Sequence, residues 1–296
     1  MKTKTVNRTG KSLVKKALVV GAKKAKAVDK NSLKEANEKV RLEKEALKAK
    51  DVEKVEAKKE VTKEDKKYTL TIDVKDLLTA GCHLGHKVSK TNPKIKEYLY
   101  EAREGIQLFD LNKSFTALEK ACNFIYNAKR NGKQIVMLGT KRQAREVVRR
   151  VALDAGVPYI TDRWVGGTVS NWSEIKKNIK KLNDIATGLS EGGKYAQSSK
   201  KDLSELNKEK TRLERMIGGL TKLENLFDII FVVDAGFEKT AIKESRENKI
   251  KVVSIVDTDS NPEKVDYAIT ANDDNVKSIT VIVEEIGRAM KAAGVK

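Results

Sequence analysis

The sequence predicts an α/β fold built on a parallel, doubly wound sheet of five strands. Two near-continuous apolar runs, 228–234 and 250–257, are typical of strands that helices cover on both faces. Residues 134–160 form a strand–helix–strand unit whose helix is predicted at 142–154 and is ended by Gly156. Strand-like and helix-like segments alternate to the end of the chain, as a parallel sheet requires. The predicted strands are 134–138, 157–160, 228–234, 250–257 and 267–269.

Residues 1–67 differ in composition, and we predict a basic, low-complexity extension that is largely disordered or a solvated helix. Residues 1–28 carry nine Lys and Arg residues and no acid. The extension has two interpretations, a loose electrostatic contact with RNA and a passive solubilising tail. If it contacts RNA phosphates, deletion of residues 1–28 should flatten the salt dependence of binding.

Composition limits the classes of partner and compartment. The net charge of +19 and the pI of about 9.6 favour nucleic acid or another anionic partner. Two cysteines, Cys82 and Cys122, are too few for a disulfide framework, which indicates a reducing compartment such as the cytoplasm. Apolar runs are all too short to cross a bilayer, so we expect no membrane contact.

Residues 68–296 are the predicted α/β domain, which opens with a short helix at 76–80. A small hairpin of strands 98–100 and 105–109 and a helix at 110–130 follow. His83 and His86 lie beside Cys82, but zinc sites need three or four ligands at defined spacing, and no second cluster exists. We therefore favour a structural or RNA-contacting role for both histidines, while a site completed by acids stays open.

The stretch between residues 138 and 182 is dense in basic residues. It holds ten Lys and Arg residues against four acids, which is typical of a polyanion-binding surface. The alternative is an ordinary solvated surface with Trp164 in the core. With the two histidines and Lys94 in the turn at 91–94, the RNA-binding candidates here are Lys141, Arg142, Arg145, Arg149, Arg163, Trp164, Lys176 and Lys180.

Residues 171–220 are predicted to form an antiparallel coiled-coil hairpin inserted into the domain. Apolar residues recur there at steps of three and four, on both sides of a polar connector at 190–200. The first seam includes Ile175, Ile179, Leu182 and Ala186. Such a hairpin either protrudes toward a partner or folds back onto the body, and its narrow, charge-flanked seam favours protrusion.

The ends of the predicted strands contain the best case for an enzyme. Lys141, Asp234, Asp257 and Asp259 lie at or just after these ends, where ligands bind in doubly wound sheets, so they could hold a phosphate or a hard cation. The glycine-rich phosphate-binding fingerprints are absent, and no catalytic triad is supported, so we expect neither cofactor nor catalysis. The final helix is predicted at 272–293, with Asp273 and Asp274 in its first turn.

Residues 68–290 resemble a known family. The match lies in segments that occur in the family's order: 77–86 (LLTAGCHLGH), 92–94 (NPK), 105–111 (GIQLFDL), 138–144 (LGTKRQA), 163–167 (RWVGG), 256–258 (VDT) and 272–274 (NDD). These segments identify the chain as similar to the bacterial-type ribosomal protein number two of the small subunit. The family usually has an aromatic residue at Leu84 and a proline at Ala235. Residues 1–67 lie outside the resemblance.

The resemblance implies a flavodoxin-like fold with an inserted coiled-coil hairpin and a structural, non-catalytic role in the cytoplasmic small ribosomal subunit. It implies binding to small-subunit rRNA at the head–body junction, contact with neighbouring ribosomal proteins, and docking of the large mRNA-binding protein number one. It also implies that the chain is not a homo-oligomer. Carried over by position, Lys141, Arg142 and Arg163 are expected to contact phosphates, and Trp164 is expected to pack.

Overall fold

The computed structural model describes residues 67–190, 194–195 and 199–294. Residues 1–66, nearly all of the predicted extension, lie outside the described residues, as does part of the hairpin connector. The helices are α1 (Val74–Thr79), α2 (Leu111–Arg130), α3 (Arg145–Ala155), α4 (Trp172–Gly188), α5 (Lys200–Ile217), α6 (Lys239–Glu247) and α7 (Val276–Gly294). The strands are β1 (Leu84–Lys87), β2 (Leu99–Arg103), β3 (Ile106–Phe109), β4 (Ile135–Leu138), β5 (Tyr159–Ile160), β6 (Ile229–Val232), β7 (Lys251–Val256) and β8 (Tyr267–Thr270).

The main sheet confirms the prediction of five parallel strands. Its order is β5-β4-β6-β7-β8, and every neighbouring pair is parallel. Counted along the chain this is the order 2-1-3-4-5, which is the flavodoxin-like arrangement. The chain therefore reverses its direction of winding between β4 and β6, and the carboxyl ends of the strands meet at one edge around that point.

Alternation along the strands places apolar side chains on both faces of this sheet. In β4, Ile135 and Met137 belong to the core that α2, α3 and α7 cover. Val136 and Leu138 belong to the core that α6 and the base of the α4–α5 pair cover. Side chains on successive strand residues point to opposite faces, so a continuous apolar run is buried on both sides.

A second, three-stranded antiparallel sheet of order β1-β3-β2 contains the predicted hairpin as β2 and β3. Its third strand, β1, includes His86 and was not predicted, because its four residues show no apolar alternation. Gly85 explains how β1 fits, since a Cβ there would overlap the Thr258 side chain. The small sheet thus lies against the carboxyl edge of the main sheet.

The last helix begins at Val276, so the prediction that Asp273 and Asp274 occupy its first turn is wrong. The Asn272 side chain accepts hydrogen bonds from the backbone N–H groups of Asp274 and Asn275, at 2.9 and 2.7 Å. An asparagine that bonds its own following backbone offers a turn that competes with helix. Helix α3 likewise starts at Arg145 rather than Arg142, because residues 141–144 form a turn.

Helices α4 and α5 form a contacting pair. Ile175, Ile179 and Leu182 are buried as predicted, but Ile185 is buried where the prediction placed Ala186, which is exposed. The larger isoleucine removes more apolar area from water, so it takes the seam position. Lys181 of α4 pairs with Glu209 of α5, Nζ to Oε1, at 2.9 Å. Coiled-coil packing and protrusion of this pair stay predictions.

In the described part of the chain, no helix combines the length and the apolar character that crossing a membrane requires.

Candidate nucleic-acid interface

Lys141 follows β4 and points into the carboxyl edge of the main sheet. Its Nζ lies 2.9 Å from Asp234 Oδ2, 2.7 Å from Asp273 Oδ1 and 2.8 Å from Asp274 Oδ1. The Lys141 side chain is only 14% exposed. It therefore connects the ends of β4, β6 and β8 through three carboxylates, which balance its charge. The phosphate contact predicted for Lys141 stays a prediction. In this structure its Nζ already contacts three carboxylates of the same chain.

Asp234 adopts a left-handed backbone, with φ of 73°, where β6 ends. Aspartate tolerates this conformation better than most residues because its short side chain can bond nearby backbone. Here Asp234 Oδ1 accepts a hydrogen bond of 2.8 Å from the backbone N–H of Phe237. Its other oxygen, Oδ2, stays directed at Lys141. The strained turn thus positions a carboxylate under the ammonium group.

The pKa values of this cluster follow from burial and mutual charge. Burial alone would lower the pKa of Lys141, but Asp273, Asp274 and Asp234 outweigh it and raise that pKa. Burial raises the pKa of Asp273 to about 8, with the charges of Asp234 and Asp257 acting in the same direction. The hydrogen bond from Lys141 lowers the pKa of the more exposed Asp274.

Asp273→Asn is expected to reduce the pH dependence of stability between about pH 4 and pH 8. Because the pKa of Asp273 is raised from 3.8, its folded form holds a proton that the unfolded chain releases. That contribution is fully present below pH 3.8 and is lost as pH rises through about 8. A single such group adds a slope of up to about 1.4 kcal/mol per pH unit. Urea unfolding of the wild type between pH 5 and 9 should show falling stability, and the variant a shallower fall.

Asp274→Asn is the matched control for this measurement, because the pKa of Asp274 is lowered. Its contribution is present above the ordinary carboxyl pKa and is lost as pH falls below it, so the fall in stability between pH 5 and 8 should be retained. Equal slopes between pH 5 and 8 in the wild type and the Asp273→Asn variant would contradict the account.

His86 joins the small sheet to this edge. Its backbone N–H donates to Thr258 Oγ1 at 2.8 Å. The imidazole Nε2 lies 3.3 Å from Asp274 Oδ2. Nδ1 lies 3.2 Å from Asp257 Oδ2, but this contact is not aligned for a hydrogen bond. His83 is half-buried just before β1, and its backbone C=O accepts from Phe109 at 2.8 Å. This geometry gives His86 a role in fastening the two sheets together, whereas the His83 bond lies within the small sheet.

The strand-end acids that made the enzyme case are engaged in local contacts. Asp257 is fully buried, accepts from the hydroxyl of Thr258 at 3.0 Å, and has its pKa raised by burial. Asp259 is exposed and accepts from Ser260 Oγ at 2.8 Å. Over residues 67–190, 194–195 and 199–294, no group of three or more His, Cys, Asp or Glu side chains is placed to hold a metal ion.

Trp164 is buried, as expected from its predicted packing role, with 8% of its surface exposed. Its indole Nε1 donates to Glu244 Oε2 of α6 at 3.0 Å. Glu244 Oε1 also accepts from the backbone N–H groups of Val169 and Ser170, at 2.9 and 2.8 Å. Although burial acts to raise the pKa of Glu244, these hydrogen bonds outweigh it and lower that pKa. Glu244 therefore holds the loop that follows β5 against α6 at three of its residues, Trp164, Val169 and Ser170.

Glu244 was not identified from the sequence. Its only signal is its place beside Ala241 and Ser245 on the apolar face of α6, where an acid needs partners to be buried. Those partners lie 74 to 80 residues away in the chain, so spacing alone could not reveal them.

Most of the other predicted cations lie on the surface. Arg145 is exposed, but its guanidinium donates to the backbone C=O groups of Thr140 and Asp162, at 2.8 and 3.2 Å. Lys94 pairs with Glu263. Five candidates are exposed and have no acid partner within the described residues, and we call them the open cations: Arg142, Arg149, Arg163, Lys176 and Lys180.

The open cations lie on connected elements. Arg142 and Arg163 follow β4 and β5, which pair in parallel with Leu138 opposite Ile160. The Arg145 bond to Asp162 holds the start of α3 against the loop that carries Arg163. Arg149 is one turn further along α3, and Lys176 and Lys180 share one face of α4. The prediction of a basic surface at this edge therefore has a structural basis, while its contact with RNA stays untested.

This combination defines a class of protein. A doubly wound sheet whose strand-end acids are occupied internally, with uncompensated cations outside, is typical of an α/β protein that docks on a polyanion.

Comparison with known proteins identifies the family. The sequence model of ribosomal protein S2 matches residues 77–293. The small ribosomal subunit protein uS2 of Oenococcus oeni (strain ATCC BAA-331 / PSU-1) is 38% identical over 219 residues, covering 74% of this chain and 84% of that protein. The chain belongs to the ribosomal protein S2 family. Proteins of this family have a structural, non-enzymatic role in the small subunit of the cytoplasmic ribosome, so the alternative of a phosphate-binding enzyme is not supported.

Proposed function

We propose that this chain docks on small-subunit rRNA at the head–body junction, and that the open cations make the phosphate contacts. The observation that carries the proposal is the division of charge at the edge of the sheet. Lys141 is balanced by three carboxylates inside, whereas Arg142 and Arg163 on the adjoining loops have no acid partner in the described part of the chain. An exposed cation without a counter-charge can pair with phosphate at little cost in broken contacts.

The inward-facing residues Lys141, Trp164 and Glu244 then support the surface that the open cations form. Lys141 holds the strand ends, and Trp164 with Glu244 fixes the loop that presents Arg163. Phosphate contacts position a protein without reading bases, which suits docking on one fixed RNA shape. Rigid presentation matters because several phosphate contacts must form together in one register.

Loss of the open cations is expected to weaken rRNA binding and its salt dependence. In a variant with Arg142, Arg149 and Arg163 all changed to Ala, each lost phosphate contact should lower the slope of log K against log salt by about 0.7–0.9. Filter binding to small-subunit rRNA across a salt series measures affinity and slope together.

The matched control removes the same charge elsewhere, by changing Lys120, Lys222 and Lys277 to Ala. These three are exposed, and none has an acid partner within the residues that the structure describes. The control should move the slope much less than the first triple variant. Equal effects from the two variants would mean that net charge alone drives binding, and the proposed surface would then be wrong.

The remaining parts of the proposal concern protein partners. We propose that the chain is a monomer that contacts neighbouring small-subunit proteins and supports docking of the large mRNA-binding protein number one. The family resemblance supports this, and the charge around the α4–α5 pair suits an arm that reaches a partner. Small subunits assembled without this chain should retain less of protein number one, and unchanged retention would contradict that part.

A further inference from the structure

A groove on α6 is lined by none of the open cations. It runs between α6 and the 3₁₀ turn at Pro262–Lys264 and encloses about 540 Å³. Buried Ala235 and Ile242 contribute apolar surface to it. Its exposed rim carries four cations: Lys239, Lys243, Arg246 and Lys264.

The positive charge of this rim is poorly compensated. Glu247 is the single acid among the lining residues of the groove, and its Oε1 lies 3.9 Å from Lys243 Nζ with both side chains mostly exposed. The other acid within α6, Glu244, faces inward to Trp164, and Glu238 just before α6 bonds Thr140. The helix therefore turns Glu244 to the core and presents three bases with the single acid Glu247 to the groove, which leaves a local excess of positive charge.

The spacing of these cations suits a chain of phosphates. Lys239, Lys243 and Arg246 stand at i, i+4 and i+7, so they share one face of α6. At 1.5 Å per residue, the row is about 10 Å long, which is long enough to contact more than one phosphate of a nucleic-acid strand.

An exposed aromatic residue stands at the start of the same helix. Phe237, two residues before Lys239, has 63% of its surface exposed. Single-stranded nucleic acid is bound by cations that follow its backbone together with aromatic or apolar surfaces that receive its bases. A duplex keeps its bases stacked inside and would leave Phe237 and the apolar floor unused, so these features favour an unpaired strand.

We propose that the α6 groove binds unpaired RNA, with phosphates on the cationic rim and a base against Phe237 or the apolar floor. This goes beyond docking on a fixed rRNA shape and does not depend on it, because it uses a different helix and different cations. The occupant is a short single-stranded segment, read by its backbone and stacking rather than by sequence.

The test uses the full chain and a fluorescent uridine hexamer that carries one 4-thiouridine. Photo-crosslinks should map to residues 237–264. Fluorescence anisotropy should show at least a tenfold loss of affinity when Lys239, Lys243 and Arg246 are all changed to Ala. Phe237→Ala should weaken binding several-fold, and Phe237→Tyr should restore it because stacking is retained. Crosslinks to the lysine-rich residues 1–28 are common to all variants and cancel in the comparison.

Two controls make the outcomes decisive. The triple variant of Lys120, Lys222 and Lys277 should change hexamer affinity less than twofold. The triple variant of Arg142, Arg149 and Arg163 should weaken rRNA binding yet keep the crosslink at α6, which separates this proposal from the proposed function. Crosslinks confined to residues outside 237–264, or hexamer binding that a duplex or a hexaglutamate peptide displaces equally well, would overturn the assignment to unpaired RNA.

Discussion

Replacing Lys141 with methionine is expected to destabilise the folded chain by about 3–5 kcal/mol, the usual effect of removing one partner of a buried ion pair. Methionine preserves much of the aliphatic stem, so lost packing contributes little. The variant leaves Asp234, whose side chain is 10% exposed, without its counter-charge. It also removes the hydrogen bond from Lys141 Nζ to the buried Asp273, which with a pKa of about 8 is mostly protonated at pH 7.5. Asp274 is half-exposed and is screened by solvent, so it contributes less. Urea unfolding at pH 7.5 measures the loss directly.

Arg142→Met is the control for this prediction, because Arg142 is the adjacent cation in the chain but is exposed. Its replacement should change stability by less than about 0.5 kcal/mol, as surface substitutions usually do. The Lys141→Met loss should also shrink at pH 5, where buried carboxylates can take up protons instead of remaining charged. Similar losses for both variants at pH 7.5 would show that Lys141 is an ordinary surface cation.

Trp164→Ala is the second large effect, with an expected loss of about 3–5 kcal/mol from the cavity that a deleted core aromatic leaves. Trp164→Phe keeps most of the packing but removes the Nε1–H donor to Glu244, so we expect a smaller loss of about 1–3 kcal/mol. Glu244 keeps its bonds from Val169 and Ser170 in both variants, so the loop should stay attached to α6. Urea unfolding of the two variants beside the wild type provides the comparison.

The rRNA affinity decides whether Trp164 acts by packing alone. Under conditions where the Trp164 variants stay folded, the affinity and its salt slope should both equal those of the wild type, since neither an RNA contact nor a phosphate-contacting charge has been removed. A variant that keeps its stability but loses rRNA affinity would identify the indole as an RNA contact and contradict the packing role.

The sheet was predictable from sequence because its strands are buried on both faces and therefore read as unbroken apolar runs. Strand β1 was missed because its fit depends on a contact between Gly85 and Thr258, which no local pattern shows. The predicted start of helix α7, at residue 272, was too early because Asn272 forms its own turn instead of joining the helix. A few hydrogen bonds decide whether such a residue forms a turn or joins the helix, and the spacing of apolar residues does not reveal them.

The site was predictable in its location but not in the direction of its side chains. Excess basic charge between residues 138 and 182 indicated a polyanion surface, and five open cations lie there. Pattern alone cannot distinguish such a cation from an internal counter-ion like Lys141, whose partners Asp234 and Asp273 are 93 and 132 residues away. The packing role of Trp164 was expected, while its partner Glu244 became evident only from the fold.

The most direct test of the central claim, docking through the open cations, is sedimentation of cell lysates on sucrose gradients at low and moderate salt. The wild-type chain should co-migrate with small ribosomal subunits at both salt concentrations. The variant with Arg142, Arg149 and Arg163 changed to Ala should move to the top of the gradient at moderate salt, because fewer phosphate contacts hold it. Co-migration of this variant at both salt concentrations, indistinguishable from the wild type, would contradict the claim.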